Sequence, residues 1–193
     1  MNRPGLQKVI LVFLFAALIS SSSSCVSHFR PSAQKQTPDT KAEAGNLLPS
    51  PTGFVNDYAA VFDSDSKSRL ESLLARLKEK ANIEFAVVTV NTTNGQPIFD
   101  YSLAVAKQWG VGPKDSSQGG GLLLMLAIQD REWRLQVSRS LEKDLPDDVC
   151  KQLGEESREL YQQGKYVEGM EKYVNALIRR LEHVKKFSLE TDM

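Results

Sequence analysis

Apolar residues change their spacing several times along this chain, and each change marks an element. Leu70, Leu73, Leu74, Leu77 and Ala81 recur every three or four residues, with Arg69, Glu71, Arg76, Lys78 and Glu79 turned outward between them. That spacing predicts an amphipathic helix, and Asp63 or Ser64 supplies its N-cap. Ile83–Val90 is a run of mostly β-branched residues around Ala86, the pattern of a strand buried on both faces. Pro97 then opens a helix carrying Phe99, Leu103, Ala106 and Trp109, which Gly110 closes. A Gly-, Ser- and Pro-rich loop over 110–121 leads into a second buried strand, 121–128. Over 131–137, Trp133, Leu135 and Val137 alternate with Arg134 and Gln136, the period of a half-buried strand. Gln129 and Asp130 join the two runs as a hairpin. Pro146 starts a helix through Val149, Leu153, Leu160 and Tyr161, and Gly164 ends it. Tyr166, Met170, Tyr173, Val174, Leu177, Ile178 and Leu181 form a last amphipathic helix, and 185–193 reads as a polar, frayed tail.

A strand, a helix and a strand in that order imply a parallel βαβ unit with a right-handed crossover. The hairpin adds an antiparallel neighbour, and helices should cover both faces of the sheet. The expected fold is a single α/β domain, a three-layer α/β/α sandwich over 53–184 with a mixed sheet. About 140 residues is the size of one ordinary domain, able to fold without metal or disulfide.

The first 52 residues have a different character. Arg3 and Lys8 precede an uninterrupted apolar run of 11 residues over 9–19, and small residues over 20–24 follow. This is the order of a signal peptide, 1–24, and the run is too short for a spanning helix, which needs about 20 residues. The expectation is export to the periplasmic side of a bacterial cell envelope. Cys25 comes next, at the place where bacterial lipoproteins carry a lipidated cysteine, although Ser22 stands where that motif has Leu. Three fates are open to Cys25. It is lipidated and holds the chain to a membrane, or it is lost or left free in a soluble secreted protein, or it pairs with Cys150. Residues 25–52 carry Pro31, Pro38, Pro49 and Pro51 among polar residues without hydrophobic periodicity, so they read as a disordered tether.

Three segments occur in the order found in TPM domains: Phe54-Val55-Asn56-Asp57-Tyr58-Ala59; Trp109-Gly110-Val111-Gly112 leading to Gly119-Gly120-Gly121; and Asp130-Arg131 with Leu141-Glu142 and Leu145-Pro146-Asp147-Asp148. Tyr166 and Gly169 match the family's close. The chain resembles that family over residues 53–181. The resemblance implies an exported or membrane-tethered module, with acid phosphatase activity, calcium binding or assembly of membrane complexes known among members. Two departures stand out. Gln118-Gly119-Gly120 replaces an Asp-Asn-Gly, and Ser138-Arg139-Ser140 replaces a Gly-x-Gly beside the family's acidic site. One carboxylate lost and one cation gained weaken a divalent metal there.

The candidate ligands for Ca²⁺ or Mg²⁺ are Asp57, Asp130, Glu142, Asp147 and Asp148, hard oxygen donors that would polarise a phosphate ester if gathered at one end of the sheet. Each also has a plain structural role open to it. Asp147 and Asp148 suit the first turn of a helix, Asp130 a turn, and Asp57 a brace. The 2 histidines, His28 in the tether and His183 near the tail, leave no zinc site or histidine triad. No catalytic residue is identifiable. Lys plus Arg is 24 and Asp plus Glu is 24, which gives no electrostatic reason to expect nucleic acid. Gly119-Gly120-Gly121 precedes a strand rather than a helix and so reads as a hinge or tight turn, not a phosphate cradle. Cys150, Trp109 and Trp133 read as packing residues. Three functions are compatible with these features: a binding or assembly module tethered through Cys25 with an envelope protein as partner, a metal-dependent phosphatase, and a structural domain with no ligand.

Overall fold

The computed structural model describes residues 47–115 and 119–189. The signal peptide, Cys25, the first part of the tether and Gln118 lie outside them.

The first short strand, β1 (Val55–Asp57), is followed by helix α1 (Ser64–Ala81), strand β2 (Ile83–Val90) and helix α2 (Ile98–Trp109). Strands β3 (Gly120–Ala127) and β4 (Glu132–Val137) and helices α3 (Asp147–Gln162) and α4 (Tyr166–Lys185) complete the domain. The sheet runs β1-β2-β3-β4, with the first three strands parallel and β4 antiparallel to β3. Mixed sheet, βαβ unit and hairpin are those the apolar pattern predicts. Asp63 caps α1 by accepting from Ser66 N at 2.8 Å, and Gly110 ends α2 in the left-handed conformation.

Alternation along β2 and β3 sorts the core into two halves. Phe85, Val87, Leu122 and Leu124 face α1, α3 and α4, where Leu70, Leu74, Leu77, Tyr173, Val174 and Leu177 meet them. Ala86, Val88, Leu123 and Met125 face Tyr101 and Val105 of α2. Both β1-α1-β2 and β2-α2-β3 step the same way along the sheet, yet their helices lie on opposite faces. One of these two crossovers therefore has the uncommon left hand.

The structure adds one strand and corrects three expectations. Strand β1 has no alternation of its own. It exists because Val55–Asp57 pairs with Val87–Thr89 and because Glu71 accepts from Phe54 N at 2.9 Å and Val55 N at 2.8 Å. Glu71 is thus half-buried against β1 and not turned to solvent. The segment 47–52, expected as the end of the tether, belongs to the domain. Leu48 is buried in the α2 half of the core, Gln108 holds the backbone at both Leu47 and Leu48, and Trp109 Nε1 donates to Pro49 O at 3.0 Å. The tail also packs, because Phe187 and Leu189 lie on the core and Leu189 N donates to Glu182 Oε1 at 2.6 Å.

Candidate functional site

The C-terminal ends of the parallel strands carry two of the five carboxylates. Asp57 ends β1 and turns back on its own chain, accepting from Val61 N at 3.1 Å, Phe62 N at 2.9 Å and the Thr89 hydroxyl. Asp130, in the β3–β4 turn, accepts from Thr92 Oγ1 at 2.8 Å and Thr93 N at 2.7 Å. These donors, the Thr93 N–H first, lower the Asp130 pKa below the ordinary aspartate value. Asp130 thereby ties the hairpin to the segment after β2. Both carboxylates are committed to neighbouring donors.

The other three stand at the opposite end of the sheet, beyond the end of β4. Glu142 is exposed in the loop before α3, and Asp147 and Asp148 are exposed in its first turn, where they complement the helix dipole. Among the described residues no group of three or more His, Cys, Asp or Glu stands close enough to hold a metal ion. The five acids are not gathered at one end of the sheet.

At the end of the sheet that carries Ser138-Arg139-Ser140, side-chain hydroxyls tie the loop to β3. Ser138 Oγ accepts from Gly121 N at 2.9 Å and lies 2.9 Å from Ser140 Oγ, while Ser138 N donates to Gly121 O at 2.9 Å. Hydroxyls of the replacing serines therefore stitch the loop to β3. The glycine run is no hinge. Gly120 and Gly121 are part of β3, and a Cβ on Gly121 would lie 2.4 Å from Val111 O, so close strand–loop approach requires glycine there.

Beside this loop, the outer edge of β4 forms one wall of a groove of about 810 Å³ that reaches α2 and the first turn of α3. Lys107, Arg134 and Arg139 line it, against Glu142 and Asp147. Arg134 Cζ sits 4.7 Å from the centroid of Phe99, and Phe99 is 45% exposed, the one exposed large hydrophobic residue among those described. The Arg134 Nε is buried without a hydrogen-bond partner. Gln136 Nε2 donates to Phe99 O at 3.0 Å and Ser102 Oγ at 2.8 Å, which fixes α2 over β4. The β4 alternation placed Arg134 opposite the core-facing Trp133 and Leu135 but gave no sign of its aromatic support, because Phe99 reads from sequence as a buried helix position.

Cys150 is buried in α3 with Sγ 3.5 Å from Leu145 O. Burial pushes its pKa up to about 11, with Asp147 and Asp148 adding to the rise. In a Cys25→Ser background, Cys150 is expected to react with a maleimide at pH 8 on the order of a hundredfold more slowly than an unfolded cysteine. Denaturant should restore the rate, whereas fast labelling of the native chain would refute the burial. Trp133 is a core residue, edge-on to Tyr173 at 5.2 Å between centroids, while Trp109 serves the packed 47–52 segment.

Four helices on a mixed four-stranded sheet, with a serine-tied loop at one end and a groove of mixed charge on the edge strand, define a small α/β domain. The TPM domain family matches residues 55–180, and the chain belongs to that family. The solved N-terminal domain of a protein from P. gingivalis is 27% identical, over 72% of this chain and 88% of that one, with a TM-score of 0.63. The N-terminal domain of the cg2496 protein from Corynebacterium glutamicum shares the fold at 16% identity, over 76% of this chain and 90% of that one, with a TM-score of 0.53. No curated protein matches.

Proposed function

We propose that the chain is a binding module of the bacterial cell envelope, tethered through Cys25, whose α2/β4 groove takes an acidic segment of an envelope protein. The observation that carries the reading is Arg134. A guanidinium whose Cζ lies 4.7 Å from the Phe99 ring centroid, with its Nε buried and unpartnered, is short of an acceptor, and a buried donor left unmade costs about 1–3 kcal/mol. A carboxylate in the groove pairs with the rest of that guanidinium, and Lys107 and Arg139 add attraction, so that with Arg134 the cations outweigh Glu142 and Asp147 by one charge. The order of charge, apolar run, small residues and Cys25 supports export and lipidation. Among the described residues no helix is long and apolar enough to cross a membrane, so attachment in this reading falls to the lipid.

Two measurements test it. Cys25→Ser should move the protein from the membrane fraction of the cell to the soluble one, and continued membrane association would remove the tether. Titration of the full chain with an oligoglutamate peptide should give saturable amide shifts over Phe99, Arg134 and Arg139. Arg134→Gln with Arg139→Gln should weaken that binding about tenfold or more, since charge-assisted pairs are the strong ones. Absent peptide shifts together with saturable Ca²⁺ shifts at Glu142 and Asp147 would replace the binding module with a metal site.

A further inference from the structure

The opposite end of the sheet holds a cavity that nothing above uses. It measures about 610 Å³, within the range of small-molecule sites, and lies between the β3–β4 turn and the C-terminal end of α3. Arg131 and Arg158 line it, no carboxylate does, and Trp133, Tyr161 and Tyr166 supply ring surface. The two cations are available. Arg131 is exposed with no ion pair among the described residues, and the Arg158–Glu155 pair, at 3.0 Å, is exposed at both ends and readily exchanged. Arg131 also sits at φ 56°, a left-handed position where glycine or asparagine costs less, so the turn gains nothing from an arginine.

The geometry points to a second binding site, for a small oxyanion that carries a planar ring. The guanidinium forks of Arg131 and Arg158 hold the oxyanion, and the ring lies against Trp133 and Tyr166. Gln162 and Gln163 offer amides at the rim.

Trp133 reports on this site directly, because the chain has 2 tryptophans and Trp109→Phe removes the other. The full chain with that change is titrated with phenyl phosphate, benzoate and inorganic phosphate while Trp133 fluorescence and amide shifts over 126–133 and 158–166 are followed. Saturable responses to one or both aromatic anions are expected, and the stronger of the two identifies the oxyanion. Arg131→Gly is expected to weaken binding tenfold or more while the melting temperature holds or rises, since glycine relaxes the turn. Arg158→Gln should weaken it similarly. No response to either aromatic anion at about 10 mM, a range in which fragment-sized ligands bind, overturns the site. Binding undiminished in Arg131→Gly overturns it as well, and inorganic phosphate binding as tightly as the aromatic anions overturns the ring contact.

Discussion

Asp57→Ala is expected to lower the stability of the domain by about 3 kcal/mol, a fall in melting temperature on the order of 10 °C. The substitution strands the Val61 and Phe62 N–H groups and takes the acceptor from the Thr89 hydroxyl, which is fully buried. Each orphaned donor in a partly buried place costs about 1–3 kcal/mol. Asp57→Asn keeps one acceptor oxygen and should lose about half as much. A metal ligand would behave otherwise. Its removal abolishes metal binding and relieves charge, so the apoprotein holds its stability or gains some. Thermal unfolding of both variants, with and without about 10 mM Ca²⁺, well above the Kd of a weak site, separates the roles. Unchanged melting of Asp57→Ala would show that the carboxylate braces nothing.

Gly121→Ala is the second large effect. Gly121 lies in the second residue of β3, paired with Glu84 on one side and hydrogen-bonded to Ser138 on the other, so the strand has no freedom to move away. The new Cβ would stand 2.4 Å from Val111 O and 2.9 Å from Gly112 Cα, and both obstacles are backbone. A loss of about 3 kcal/mol or more is expected by denaturant unfolding, at the top of the range for overpacked sites. Gly95→Ala is the control. A Cβ there meets nothing within 4 Å, and only the φ of +80° opposes it, a cost of about 1 kcal/mol. Equal losses at the two positions would mean that the loop before β3 yields, and that Ser138 alone holds that end of the sheet.

The elements legible in the sequence are those whose own residues repeat. Leu70, Leu74 and Leu77 mark α1, and the apolar runs of β2 and β3 mark strands buried on both faces. What escaped depends on partners distant in sequence. Strand β1 has an Asn and an Asp among three residues, and only pairing with β2 and the Glu71 carboxylate make it a strand. Leu47 and Leu48 are hidden among prolines, although their backbone is held by Gln108, about sixty positions on. The acids were found as residues but not as an arrangement. Chain order places Asp130 and Glu142 close together, whereas β4 runs the length of the sheet between them and delivers them to opposite ends. The TPM motifs located the loop at Ser138, yet the Arg134–Phe99 contact joins two elements that no local pattern connects.

The strand order β1-β2-β3-β4 has a consequence for how the chain folds. Each strand docks on the one made just before it, so every closure is short and the sheet can grow in the direction of synthesis. The face carrying Phe85, Val87, Leu122 and Leu124 is finished only by α4, the last helix, which brings seven buried residues. Until α4 emerges, a leucine-rich sheet face stands half covered, and a ribosome-bound or shortened chain is an adhesive, unfinished object rather than a smaller stable one. The domain is therefore completed late, by α4, and until then a chaperone has something to hold.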